Sequence, residues 1–193
     1  MELNTVQTDE QKLIQGCLNC EPWAQKKIYE AHASAMMSVC VRYVPDRETA
    51  RDLLQDGFVK LFTKIDSYSG VGSFAGWMRR IFVTTALEHL RRNDALKQSL
   101  DIDEYDNYIE NVDVTVLDKI SADDLMKCIG ELPHGFRTVF NLYAIEGYSH
   151  AEIAKELNIS EATSRSQFMR ARKILQKNVQ TLFNYQDYAR QYK

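Results

Sequence analysis

Apolar residues recur at helical spacing through the first half of the chain, from about Asp9 to Lys97. Leu53, Leu54, Phe58, Leu61, Phe62 and Ile65 form one wide face, the pattern of a helix with one side packed on a core. Val39, Val41 and Val44 belong to the element before it, and Pro45-Asp46 separates the two. The stretch IDSYSGVGS, from Ile65 to Ser73, carries two glycines and three serines, which predicts an exposed loop. A further helix is expected from near Ser73 through Arg92, its buried side supplied by Phe74, Trp77, Met78, Ile81, Phe82, Leu87 and Leu90.

From about Asn93 to Ser121 the periodicity fails and acids accumulate. Little apolar surface and much like charge cannot offset the entropy of ordering, so this stretch reads as a flexible linker. Helix signals return at Ser121, an N-cap candidate followed by Asp123 and Asp124 in the first turn, where carboxylates favour the positive end of the helix dipole. Pro133 suits the first turn of the next helix, with Phe136, Val139, Phe140 and Tyr143 along one side.

Ser149-His150-Ala151-Glu152 has the form of a capping box. It starts a short helix with Ile153, Ala154 and Leu157 on its apolar face. Asn158 can take the left-handed turn conformation, and Ser160 caps a longer helix through about Val179. Short helix, tight turn and long helix make a helix-turn-helix. Along the long helix the pattern sends Ala162, Phe168, Ala171 and Leu175 inward, and turns Ser164, Arg165, Gln167, Met169, Arg170 and Lys173 outward. A Gln can bond adenine bidentately and an Arg guanine, while further cations suit phosphates. An amphipathic hairpin with a solvated basic face carries the same pattern.

The helix expected from Ser73 also bears a polar stripe: Arg80, Thr84, Glu88 and Arg91 fall at spacings of four, four and three. Trp77 and the Ser/Gly loop lie beside it. Aromatics and cations next to a loop suit single-stranded DNA, since stacking an unpaired base on a ring contributes roughly 1–3 kcal/mol. Phe74 and Trp77 at this spacing fit a core role equally.

Charge distribution changes the picture more than its total. The formal net charge is −3, yet between Asp101 and Asp124 nine acids face only Lys119, a net of −8. From Ser160 onward seven basic residues face two acids, a net of +5. Such asymmetry points to a basic nucleic-acid-binding end and an acidic tether.

The chain has no run of about 18 apolar residues and its start, MELNTVQTDEQK, lacks a signal-peptide pattern, so a cytoplasmic protein without membrane insertion is expected. There the four cysteines are expected as thiols. Cys17 and Cys20 form a lone Cys-x-x-Cys with no second pair at finger spacing, so no metal or cofactor is expected. His32, His89, His134 and His150 have no paired nucleophile, and no Gly-rich phosphate loop follows a strand, so no enzyme is expected. What remains is an all-α chain of two small helical domains: 9–97, a linker at 98–120, a helix-turn-helix domain at 121–182 and a tail at 183–193.

These residues resemble a known family. GSFAGWMRRIFVTTALEHLRR resembles the promoter-melting helix of the extracytoplasmic-function (ECF) sigma factors of bacterial RNA polymerase, and GYSHAEIAKELNISEATSRSQFMRARKIL resembles their helix-turn-helix. YEAHASAMMSVCVRYVPDRETARDLLQDGFVKLFTKI is similar to their preceding helices. The resemblance implies that Asp52, Gln55, Asp56 and Phe58 contact the β′ clamp helices of core polymerase. It implies that Ser73, Phe74, Trp77, Arg79, Arg80, Thr84, Glu88, Arg91 and Arg92 serve the −10 element, whose flipped base is captured there. Ser160, Thr163, Ser164, Arg165, Gln167, Arg170 and Lys173 would read the −35 element as duplex.

Many relatives carry Asn and Asp where this chain has Thr84 and Glu88, and aliphatic and basic residues where it has Ser164 and Gln167. The family also implies control by an anti-sigma factor, and the acidic linker suits either the cationic channel of polymerase or a solvated tether. A stand-alone helix-turn-helix regulator, or an adaptor that binds only proteins, is the alternative.

Overall fold

The computed structural model describes residues 8–92 and 121–191, with side chains through 182. Among them there are eight α-helices and no strand. The chain divides into two compact units, Met1–His89 and Leu90–Lys193. The expected linker at 98–120 lies outside the described residues.

In the first unit α1 (Asp9–Leu18) starts at a capping box: Gln11 N–H donates to Thr8 Oγ1 at 3.3 Å and Thr8 N–H to Gln11 Oε1 at 2.9 Å. It ends in a Schellman turn, with Glu21 N–H on the Gly16 carbonyl at 2.9 Å and Cys20 N–H on the Cys17 carbonyl at 3.0 Å. The left-handed residue of that turn is Cys20, at φ 57°. Helix α2 (Pro22–Tyr43) opens on proline, whose missing N–H costs nothing in a first turn. Helix α3 (Arg47–Thr63) is capped by Asp46, which accepts from Thr49 N–H at 2.8 Å.

A single 3-10 turn (Ile65–Ser67) follows, with Ile65 buried, so the exposed loop proper is Ser69–Ser73. Gly70 and Gly72 hold it in left-handed conformations, at φ 75° and 80°. Helix α4 (Phe74–Arg92) then buries Phe74, Met78, Phe82, Leu87 and Leu90 as the spacing predicts, while Trp77 and Ile81 are half-buried. Phe82 lies over Gly57 of α3. A Cβ at Gly57 would stand 2.3 Å from the ring, so only glycine lets the two helices meet this closely.

The second unit begins at α5 (Ala122–Gly130), capped by Ser121, which accepts from Asp124 N–H at 3.1 Å. Helix α6 (His134–Phe140) continues into one wide π turn, Asn141–Ile145. The extra residue of that turn slips the apolar register: Phe136, Val139 and Leu142 are buried, and Tyr143, expected inside, is 40% exposed. Helices α7 (His150–Leu157) and α8 (Glu161–Gln191) complete the unit. Helix α8 runs past Val179, where the pattern ended it. The core gathers Cys128, Ile129, Leu132 and Phe136 against Ala171, Ile174, Leu175 and Val179.

One cation among the described residues is inside. Arg137 is 3% exposed; its Nη1 donates to the Gly130 carbonyl at 2.7 Å and the Leu132 carbonyl at 3.2 Å. These carbonyls belong to the end of α5 and the turn after it, whose groups have no partner within the helix. Desolvation lowers the guanidinium pKa to about 10.

Two substitutions should move stability in opposite directions. Gly57→Ala gains about 1 kcal/mol of helix propensity but overpacks Phe82, which costs about 1–3 kcal/mol, so the urea midpoint of the full chain should fall. Cys20→Gly removes a left-handed strain on the order of 1 kcal/mol and should raise that midpoint.

Candidate nucleic-acid interfaces

In the first unit the surface is built on an aromatic cluster. Phe74 stacks on Trp77 with centroids 5.7 Å apart, and Tyr68 meets Phe74 and Trp77 at 5.3 Å each. Phe74 is 1% exposed, so it cannot itself stack on a base, contrary to its place among the expected −10 contacts. It is the seat that orients half-buried Trp77. Tyr68, missed in the sequence, ties the cluster to the loop, its hydroxyl donating to the Gly72 carbonyl at 3.0 Å. An aromatic in a Ser/Gly loop was the available signal.

Along α4, Arg80, Arg91 and Arg92 are exposed, and Arg79 is half-buried. Thr84 spends its hydroxyl proton on the Arg80 carbonyl one turn back, the usual local bond of a helical threonine. Glu88 accepts from Lys60 Nζ of α3 at 2.6 Å. The ammonium offsets a carboxylate that would otherwise repel phosphate from a basic stripe. Lys60 sits 28 positions away in sequence, and no local pattern links it to Glu88.

On α3, Asp52, Gln55 and Asp56 are exposed as expected. Phe58 is not: it is 4% exposed, packed on Tyr29 at 4.7 Å and Phe82 at 5.1 Å. The residue that completes the exposed stripe at 52, 55, 56 and 59 is Val59, 65% exposed.

The helix-turn-helix of the second unit follows its sequence signals. Ser149 accepts from Glu152 N–H at 3.2 Å while its own N–H donates to Glu152 Oε2 at 2.8 Å. Asn158 is left-handed, at φ 54°. Ser160 caps α8 by accepting from Thr163 N–H at 3.0 Å.

The outward face of α8 differs from expectation. Ser164 and Gln167 are buried, and Ala162 is exposed. His150, at the start of α7, explains Ser164: its Nδ1 lies 2.9 Å from the Ser164 hydroxyl, and its ring stacks on Tyr143 at 4.3 Å. The small serine lets α7 close onto α8 and gives the imidazole a partner. Ala162, Arg165, Ser166, Met169 and Arg172 therefore face solvent, with Thr163, Arg170 and Lys173 at the margins. Arg165 pairs with Glu161 at 2.9 Å, an exposed i,i+4 bridge that a phosphate or base can displace.

Among the described residues no three metal-ligating side chains gather, and no helix is long and apolar enough to cross a membrane. Burial pushes the Cys40 thiol up to about 12.

A helix-turn-helix with an exposed cationic face, together with a helical unit bearing an aromatic and arginine surface, defines a two-unit DNA-binding protein. The family described as Sigma-70 region 2 matches residues 28–96, and Sigma-70, region 4 matches residues 122–175. The chain is 30% identical to the ECF RNA polymerase sigma-E factor of Escherichia coli over 155 residues, 75% of this chain and 81% of the relative. It is 27% identical to the RNA polymerase sigma-H factor of Pseudomonas aeruginosa over 187 residues, 91% of this chain and 96% of that one. Among solved structures, the sigma factor RpoE from Bartonella quintana, in complex with the anti-sigma factor NepR, matches with TM-score 0.49 and 23% identity, over 80% of this chain and 96% of that one. CnrH, in complex with the cytosolic domain of CnrY, matches with TM-score 0.46 and 21% identity, over 88% and 96%. The chain belongs to the ECF sigma factors, which direct RNA polymerase to promoters.

The two histidines of the second unit make a pH prediction. Arginine only donates, so His134 Nδ1, 2.7 Å from Arg137 Nη2, must accept and be unprotonated. Burial and then Arg137 hold the His134 pKa below its ordinary 6.5; burial and then Arg165 do the same at His150. The unfolded chain therefore binds more protons. Stability is fully present above about 6.5 and falls as pH drops toward the lower folded values. Urea unfolding at about pH 7.5 and 5.5 should show this loss, and His134→Gln with His150→Gln should flatten it.

Proposed function

We propose that the first unit holds the opened −10 strand while the second reads the −35 duplex, both bound to one core polymerase. The observation that carries this reading is the pairing of the region 2 and region 4 matches in one chain with two exposed cationic faces. The domains we assign are 9–97, a linker at 98–120, 121–182, and a tail at 183–193. Asp52, Gln55, Asp56 and Val59 form the stripe offered to the β′ clamp, Val59 taking the part first given to Phe58.

At the −10 element Trp77, seated on Phe74 and beside Tyr68, supplies the stacking surface. Arg79, Arg80, Arg91 and Arg92 supply phosphate contacts, and Ser73, Thr84 and Glu88 flank them. Thr84 has one hydroxyl, already donating within the helix, so it reads a base less firmly than a two-pronged amide.

At the −35 element Arg165 and Ser166 offer polar contacts and Met169 an apolar surface for a thymine methyl. Ser160, Thr163, Arg170, Arg172 and Lys173 serve the backbone. Ser164 and Gln167 support the helix from within.

The chain acts in the cytoplasm, where the template is, without catalysis of its own and without a cofactor. An anti-sigma protein that covers both DNA-facing surfaces is its proposed regulator, on the ground of family membership. A stand-alone regulator would bind duplex DNA alone, and a protein-only adaptor would show no salt-dependent DNA binding.

The test is transcription from a randomised promoter library by core polymerase plus this chain, followed by sequencing of the transcripts. Arg165→Ala and Met169→Ala should each relax upstream preference, by about 1–3 kcal/mol for a lost bidentate arginine contact. Trp77→Ala should lower open-complex formation at an unchanged upstream sequence. Upstream selectivity that survives both α8 changes, or no transcription with core polymerase, overturns the reading.

A further inference from the structure

The turn after α1 places a cysteine where glycine is the ordinary occupant. Cys20 is left-handed, at φ 57°, and carries the strain of its Cβ there. Its N–H donates to the Cys17 carbonyl at 3.0 Å. An i to i+3 bond of this kind keeps the two Cα atoms within about 7 Å, and a disulfide spans about 4.4–6.8 Å. The two thiols differ in setting: Cys17 is 1% exposed, and Cys20 is the exposed cysteine of the four. Burial, and after it the charge of Cys20, raises the Cys17 thiol to about 11. Cys40 and Cys128 are buried on other helices and take no part.

We propose that Cys17 and Cys20 form a redox-active dithiol, which a peroxide converts to an intramolecular disulfide at the corner between α1 and α2. The exposed Cys20 sulfur attacks a peroxide oxygen. An S–O bond forms, the O–O bond breaks, and the departing hydroxide takes up the thiol proton as water. The Cys17 sulfur then attacks the Cys20 sulfenic sulfur. The S–S bond forms, the S–O bond breaks, and hydroxide leaves as water with the Cys17 proton. Two thiols lose two electrons, and hydrogen peroxide becomes two waters.

The asymmetry of the pair also governs its return. A reducing thiol reaches the exposed Cys20 sulfur and expels the buried Cys17 sulfur. Helix α1 packs on α2 and on the 3-10 turn that opens the Ser/Gly loop. Drawing the Cys17 sulfur outward therefore bears on the support of that loop.

The reduced full chain is treated with hydrogen peroxide, alkylated in denaturant with iodoacetamide and digested with trypsin. The fragment Leu13–Lys26 holds both cysteines and Trp23. It should emerge two hydrogens lighter and unalkylated, and return to two alkyl groups after dithiothreitol, while Cys40 and Cys128 stay alkylated throughout. Cys20→Ser and Cys20→Gly should abolish the lighter fragment, the glycine variant in a chain that folds at least as well. Two alkyl groups on the fragment after peroxide, or Cys20 driven to sulfinic acid with Cys17 still alkylated, overturns the proposal.

Discussion

The first unit depends on the burial of one face of α4, on which Phe82 packs against α3. Phe74, Met78 and Phe82 are withdrawn from water almost completely, and Phe82 comes down on a position where α3 has no side chain at all. Each aromatic so buried contributes a few kcal/mol, a large fraction of what a small domain has in total. That contact also orients the opposite side of the same helix. With the apolar face pinned, Arg80, Thr84 and Glu88 have fixed directions, and Trp77 is held at the margin by the ring beneath it. A polar surface on so small a unit is precise because it shares a helix with the core.

The second unit solves a similar problem with polar atoms. The short helix α7 closes on α8 through a small hydroxyl, Ser164, and an imidazole, His150, stacked on Tyr143. Buried polar groups are tolerable when each meets a partner, and here the pair fixes the rotation of α8. Arg137 does comparable service at the end of α5, where a buried guanidinium satisfies carbonyls that the helix leaves open. The Arg137 arrangement also depends on protonation state, because only a neutral His134 can accept from the guanidinium.

Electrostatics is arranged by position more than by total. A chain with a formal charge of −3 concentrates its acids between Asp101 and Asp124, and leaves arginines along α4 and α8. The carboxylate of Glu88, which stands in the α4 stripe, is matched by Lys60 from the neighbouring helix. Local field, not net charge, is what a phosphate backbone meets.

The sequence by itself determined whatever is local: helix order, the caps at Ser121, Ser149 and Ser160, the left-handed Asn158, and the arginine stripe of α4. Caps and periodicity are set by neighbours within a turn or two, so they can be read in one dimension. Tertiary structure alone decided that Ser164 and Gln167 of α8 turn inward, that Tyr143 turns outward within a π turn, and that Lys60 reaches Glu88. A polar residue such as Ser164 or Gln167 looks exposed in any pattern of apolarity. For Ser164 the close approach of α7, with His150 Nδ1 at hydrogen-bonding distance, makes the burial favourable.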